Sequence, residues 1–393
     1  MAAAIAVIIN SMSFKDFFKK EATFCIAFFA AVISAFIVPP SAAYAKYIDL
    51  HVLFVLFSLM LVVAGLRSCG VFDTCADFLC SRVKRLRTLC AVLVYLCFFF
   101  SMFITNDVSL LTFVPFAVLL LNRSGNGKYI IYVVVLQTLA ANLGSMLTPM
   151  GNPQNLFLYT RMGISASEFC SILIPYVVIS GVLLALCLLF IQDADLESVR
   201  GSMPQTESAA QTNNPAAGGK IHLAVFWSLF VLCILCVLKV IPGWVLAATC
   251  AVAVLIVQRS LFLKVDYMLL LTFCAFFVFT GNMGNVPAIK TFLQKAVQGH
   301  EFWAGLLSSQ VISNVPSALL LYPFSSDLKG LLLGVDVGGL GTLVASLASL
   351  ISYKLYVNQE KPAVPVKAGQ YLAVFTVMNA VFMIILCAYF VIF

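Results

Sequence analysis

Apolar runs long enough to cross a bilayer recur from one end of this chain to the other, and several are broken near their middles by polar residues, glycine or proline. A membrane-spanning helix needs about 20 apolar residues. Hydrocarbon cannot satisfy a free backbone N–H or C=O, so segments facing lipid stay helical. A break at that depth survives only where protein covers it or where it lines a watery cavity. The chain is 62% hydrophobic and 10% charged, against roughly 25% charged in soluble domains. It therefore reads as an all-α integral membrane protein with no room for a large soluble domain. The spacing predicts helices near 22–38, 48–65, 129–165 (interrupted), 167–191, 221–240, 243–258, 266–281, 330–357 (interrupted) and 369–392.

Two further apolar stretches, 88–121 and 301–328, carry polar groups at their centres, Thr105-Asn106-Asp107 and Ser313-Asn314. Each is too long for one crossing and short for two, so each is expected to be a re-entrant hairpin. Counting broken helices, the chain is expected to hold about eleven transmembrane segments besides the two hairpins. Residues 192–220 are rich in charge, Pro, Gly, Ser and Asn and read as a cytoplasmic flexible linker. This gives three parts: a first repeat over 1–191, the linker, and an extra helix plus second repeat over 221–393.

The halves align. Ile104–Phe116 and Ile312–Phe324 share six identities in thirteen, with Asn, Ser and Pro in register. Ala141–Tyr159 lies against Val335–Tyr353, matching Gly, Thr, Leu and Tyr. A fainter match joins the runs from Asp49 to Gly65 and from Asp266 to Gly281. With a cytoplasmic N-terminus and non-crossing hairpins, the extra helix makes the second repeat start on the opposite face. The repeats are then inverted, and the C-terminus is extracytoplasmic. On this layout Lys46, Arg161, Lys239, Lys290, Lys295 and Lys329 face outward, against the remaining seventeen of the 23 Lys and Arg. That obeys the positive-inside bias of a plasma (inner) membrane protein.

Other classes find little support. The thirteen cysteines lie scattered in apolar runs and read as buried thiols, and Cys233 and Cys236 form a CxxC inside a span without a second pair. His51, His222 and His300 are far apart. There is no HExxH, GxSxG or phosphate-binding glycine loop. A secretory signal is not expected, and Phe14–Glu21 reads as an amphipathic surface helix. The net charge of +7 fits a basic cytoplasmic rim rather than a nucleic-acid partner.

The stretch TPMGNPQN, Thr148 to Asn155, lies inside an apolar region. Pro149 and Pro153 remove donors, Gly144 and Gly151 allow close backbone approach, and Asn142, Thr148, Asn152, Gln154 and Asn155 supply polar side chains. The second copy uses Asp336, Gly338, Gly339, Gly341, Thr342, Ser346 and Ser349. A broken helix presents N–H groups at one end and carbonyls at the other, which suit anions and cations respectively. Two breaks plus two hairpin tips are expected to form a solute site at mid-membrane. Its residues are Thr105, Asn106, Asp107, Ser109, Ser313, Asn314, Pro316 and Ser317 with those of the breaks. A carboxylate at that depth costs about 2.5–3.5 kcal/mol and usually has a task. Asp107 is expected to hold sodium or carry a proton, or else to cap a helix, and Asp336 to serve at the break. Arg67 reads as an ordinary cytoplasmic interface residue.

At FITNDVSLLTFVPF, NLGSMLTPMGNPQNL, SNVPSALLL and GGLGTLVASLASLISYK the chain resembles the ion transporter superfamily. That group holds divalent anion–sodium symporters, citrate–metal transporters, arsenite efflux pumps and a sodium/proton antiporter family. The likeness is strongest to bacterial citrate-transporter-like or dicarboxylate-symporter-like permeases. The dicarboxylate symporters carry Ser-Asn-Thr triplets at their hairpin tips, where Asn106 and Asn314 match while Asp107 and Val315 depart. The Asn-Asp and Asn-Val-Pro motifs look more like the arsenite branch. The resemblance implies a homodimer whose hairpins and broken helices move as an elevator body, with sodium at Asn106, Asp107 and Asn314. The expected function is secondary active transport of a small, anionic solute, coupled to sodium or protons and using no other cofactor. Arsenite efflux or sodium/proton antiport is the alternative within the class. A channel, or an intramembrane enzyme using Asp107 and Asp336, is the alternative outside it.

Overall fold

The computed structural model of the protein describes residues 21–42, 44–80, 82–195, 219–359 and 365–393. The expected surface helix, apart from Glu21, and most of the linker lie outside these residues. Apart from an isolated bridge between Arg85 and Asp195, the described residues that take regular structure are helical. Eight of the helices among the described residues are long and apolar enough to cross a membrane, and 24–37 and Leu347–Val357 are shorter apolar helices.

The chain opens with α1 (Ala22–Ile37), α2 (Tyr44–Tyr47), α3 (Leu50–Ser68) and α4 (Val71–Cys80). Helices α5 (Leu86–Ile104) and α6 (Asn106–Arg123) form the first hairpin, and α7 (Ile130–Ser145) and α8 (Pro153–Met162) the first broken helix. Next come α9 (Ala166–Leu188), α10 (Gly219–Val237), α11 (Gly243–Gln258), α12 (Tyr267–Gly284) and α13 (Pro287–Val297). The second hairpin is α14 (Glu301–Ile312) and α15 (Asn314–Leu321), and the second broken helix is α16 (Leu328–Val337) and α17 (Leu347–Val357), before α18 (Ala368–Ile392). Helices α4 and α13 were not expected. Both are short and mix charge with apolar residues, so no spanning run marks them.

Local chemistry sets the boundaries. Asp49 Oδ1 accepts from Val52 N at 3.1 Å and starts α3, while Asp266 Oδ1 accepts from Leu269 N at 2.9 Å and starts α12. Asn152 caps α8, with Pro153 in its first turn where a missing N–H costs nothing. The helices pack as two groups. In one, α3 packs on α10 and α11, and α1 on α12; in the other, α5, α6 and α7 pack together, α14 packs on α16, and α17 on α6 and α7.

Two rims can be traced by their polar ties. On the first, Arg85 pairs with Asp193 at 2.9 Å, Leu86 N donates to Ala194 O at 2.9 Å, and Gln192 N donates to Tyr129 Oη at 3.2 Å. Hydrogen bonding to Arg85 holds the Asp193 carboxyl below the usual carboxylate range. Both ends of the first hairpin therefore reach this rim. On the second, Arg161 pairs with Asp49 at 2.9 Å and Lys239 Nζ donates to Ile164 O at 3.2 Å. Here Glu301 Oε1 accepts from Ser326 N, Ser326 Oγ and Asp327 N at 3.0, 2.7 and 3.1 Å, which joins the two ends of the second hairpin. The Arg161 guanidinium lies 5.3 Å from the Tyr322 ring, so these ends share the second rim. Between the rims α7 and α17 run antiparallel: Asn142 meets Ser346 and Ser349, and Thr138, one turn back, meets Ser352.

Candidate functional site

Each hairpin turns on one residue held in a conformation that L residues avoid. Thr105 has φ 74° and ψ 150°, and Ser313 has φ 75° and ψ 154°. Such a backbone costs about 1–3 kcal/mol and persists where its surroundings enforce it. The enforcing contacts match in the two hairpins. Asn106 N donates to Gly151 O at 3.2 Å, and Asn314 N donates to Ala345 O at 2.9 Å, so each tip is tied to the break that follows it. The asparagine oxygens take the next free N–H: Asp107 N to Asn106 Oδ1 at 3.0 Å, and Val315 N to Asn314 Oδ1 at 2.9 Å. The N-cap position of α6, Thr105, makes no side-chain cap bond. Thr148 Oγ1 donates to Met102 O, and Thr342 Oγ1 donates to Gln310 O at 3.0 Å.

Close packing explains the glycines at these joints. A Cβ on Gly144 would sit 2.1 Å from Phe98 O, and one on Gly338 would sit 2.9 Å from Leu306 Cα. The orphaned carbonyls of the first break are met by Asn155 Nδ2, at 2.9 Å from Met146 O and 3.4 Å from Thr148 O. Those of the second are met by Gln310 Nε2, at 2.8 Å from Gly338 O and 2.9 Å from Leu340 O.

The breaks also join each other. Asn106 Nδ2 donates to Asn142 Oδ1 at 3.1 Å, and Ser346 Oγ donates to the same oxygen at 3.0 Å. Asn142 Nδ2 donates to Ser349 Oγ at 3.3 Å. Asp336, buried at 3% exposure, occupies the corresponding place in the other half. Its Oδ1 accepts from Gln154 Nε2 at 3.2 Å, and Asn152 and Asn155 flank it.

A cavity of about 80 Å³ is lined by both tips: Asn106 and Asp107 from one, Ser313, Asn314, Val315 and Pro316 from the other. Pro153 and Gln154 at the start of α8, Ser346 and Leu347 at the start of α17, Asp266, Met268, Leu269 and Thr272 at the start of α12, and Glu21 and Phe24 at the start of α1 complete it. The N-terminal ends of six helices, α1, α6, α8, α12, α15 and α17, therefore meet on one small space. Asp107, Pro153, Asp266, Leu269 and Leu347 also line a chamber of about 740 Å³ between the two helix groups, with Thr105, Thr112 and Asn152. That volume lies within the usual range of ligand clefts, roughly 300–1,000 Å³.

Of the residues expected from the sequence, Thr105, Asn106, Asp107, Asn152, Ser313, Asn314 and Pro316 line these cavities. Asn142, Gly144, Thr148, Gly151, Asn155, Asp336, Gly338, Gly339, Gly341 and Thr342 build the joints behind them. Ser109 and Ser317 instead donate to helix carbonyls, Cys97 O and Ser313 O, and Pro149 is buried away from both cavities. Four charged residues outside the expected set belong to the walls, Glu21 of the small cavity among them. Arg67, expected to be an ordinary interface residue, lines the large chamber with its Nη2 donating to Leu111 O at 3.1 Å, and Lys264 and Asp266 line it too. Their position at the ends of apolar runs resembled ordinary interface charge, so only the fold reveals them.

The apolar spans and the relatives that follow make this a multi-pass membrane transporter, not an enzyme. The chain belongs to the citrate transporter family, CitMHS, whose model matches residues 5–330. It is similar to an uncharacterized transporter of Methanocaldococcus jannaschii, 30% identical over 87% of this chain and 89% of that protein. It is also similar to the inner membrane protein YbiR of Escherichia coli, 31% identical over 78% of this chain and 80% of the relative. A 46 kDa membrane protein of Mycobacterium leprae is 25% identical over 78% of this chain and 79% of its own length.

Proposed function

We propose that the protein is a secondary active transporter that moves a small anionic solute, a carboxylate or oxyanion, coupled to sodium or protons. The observation that carries this reading is the convergence of six helix N-termini on the cavity between the hairpin tips. The positive end of a helix dipole favours negative charge. Arg67 and Lys264 on the chamber wall favour it as well. Glu21, Asp107 and Asp266 on the same walls oppose it, so the solute enters best with a cation or proton, for which Asn106, Asp107 and Asn314 offer oxygens. The family description names citrate, which makes a tricarboxylate the first solute to try.

The halves act as inverted repeats. Supporting this, each hairpin returns to its own rim, the two rims are opposite, and α7 and α17 run antiparallel. The hairpins and broken helices form an elevator body, and α1, α3 and α10–α12 form the scaffold against which it slides, in a homodimer. The chamber lies between these groups, where a sliding body would open and close it. The rim with Arg85, Arg87 and Lys128 faces the cytoplasm of the cell in which the chain spans the plasma membrane.

Uptake of radiolabelled citrate, succinate, phosphate and arsenite into vesicles holding the purified protein tests the reading. Saturable uptake of an anion that follows a sodium or pH gradient, and that falls at least ten-fold in Asn106→Ala and Asn314→Ala, is the expected result. Non-saturating flux indifferent to both gradients would point to a channel and contradict it.

A further inference from the structure

Behind the cavity, between α8 and α16, three buried oxygens have no partner. They are Asp336 Oδ2, Gln154 Oε1 and Asn155 Oδ1, on residues exposed by 3%, 2% and 0%. Six side-chain polar atoms among the described residues are buried and unpartnered, and half of them fall here. The amides cannot repair this by turning over. Gln154 Nε2 is committed to Asp336 Oδ1 at 3.2 Å, and Asn155 Nδ2 to Met146 O at 2.9 Å, so each amide oxygen is fixed as an acceptor. An unpaired buried oxygen costs about 1–3 kcal/mol, more when charged. Gln154 is tied to Asp336 Oδ1 and Asn155 stands beside the same carboxyl, so the three oxygens belong to one buried polar cluster.

We infer that Asp336, Gln154 and Asn155 form a binding site for one small monovalent cation, sodium by size and charge. A proton on Asp336 could satisfy the carboxylate and one amide oxygen and would leave the third unpaired, whereas a cation accepts from all three. The single carboxylate balances one positive charge, and a divalent ion would keep an uncompensated charge in a dry site. Gln154 lines the cavity between the tips and reaches back to Asp336, so the ion sits one side chain behind the solute and is reached through that cavity. This site is separate from any cation held at Asp107. It rests on the transporter reading and specifies its coupling ion.

The test is equilibrium binding of radioactive sodium to the full chain purified in detergent, with melting curves in sodium, potassium and choline chloride at equal ionic strength. Asp336→Asn is expected to bind one sodium fewer per chain than wild type. It should also melt alike in sodium and in choline, whereas wild type melts higher in sodium. Gln154→Leu is expected to weaken sodium binding at least ten-fold, and it decides the matter if Asp336→Asn does not fold. Unchanged sodium stoichiometry and affinity in both variants, absence of sodium binding in wild type, or a stabilisation that follows pH and ignores sodium would overturn the site. Those outcomes leave anion uptake into vesicles intact, whereas failure of the transporter reading abolishes uptake whatever sodium does to melting.

Discussion

The break after α7 is made of Pro149, Gly151, Asn152 and Pro153, whereas the break after α16 is made of Gly338, Gly339 and Gly341. The first carries its own repair. Asn152 and Asn155, inside the same segment, cap α8 and meet the stranded carbonyls. The second depends on its neighbour, because Gln310 of the hairpin fills that role and also accepts from Thr342 N at 2.9 Å. The backbone outcome is alike, since both breaks receive the N–H of a tip asparagine. One geometry can thus be kept by local or by tertiary hydrogen bonds. The chemistry then diverges at one aligned position, where Asn142 stays neutral and fully engaged while Asp336 keeps an oxygen unpaired.

The sharpest way to break this comparison is to add bulk at the paired glycines. Gly144→Ala drives a methyl against a backbone oxygen and should cost about 3 kcal/mol or more, seen as lost expression or a collapsed melting transition. Gly338→Ala also meets backbone, at 2.7 Å from Gly334 O and 2.9 Å from Leu306 Cα, and should cost about 2–3 kcal/mol. Next comes the tertiary repair. Gln310→Leu strands two carbonyls and an N–H and should destabilise by about 2–4 kcal/mol, measured by denaturant unfolding in detergent, against about 1–3 kcal/mol for Asn155→Leu. Equal losses would erase the distinction between the breaks. At the tips, Thr105→Gly and Ser313→Gly should each raise stability by about 1 kcal/mol by removing strain, while lowering uptake because the turn loosens. The smallest effect belongs to the rim. The folded Asp193 carboxyl titrates below its unfolded value, so its contribution is present above about pH 4 and fades on acidification. Exposed as the pair is, Asp193→Asn should leave the neutral-pH melting curve where wild type has it.

Much of this arrangement was legible in the residues themselves. Apolar length marked the spans, and Pro, Gly and Asn inside apolar runs marked both breaks and both tips. The boundaries followed closely: 88–121 became Leu86–Ile104 and Asn106–Arg123, and 330–357 became Leu328–Val337 and Leu347–Val357. What stayed hidden depends on packing. Helices α4 and α13 carry mixed composition and no periodic signal long enough to read. Arg67 and Lys264 looked like ordinary charge at the ends of spans until the two helix groups enclosed a chamber beside them. Gln310 is one amide in a hairpin arm, and only the fold puts it within reach of the second break. The meeting of six helix starts is likewise a property of the assembled bundle and of no single stretch of chain.

The central claim is that Asn106 and Asn314, one from each half, hold a single shared passenger. Its most direct test is a double-mutant cycle on the affinity of the transported anion, using wild type, Asn106→Ala, Asn314→Ala and the double variant. A shared passenger predicts non-additive losses, with a coupling of about 0.5–3 kcal/mol. Losses that add to within about 0.5 kcal/mol would mean two independent sites and would contradict it.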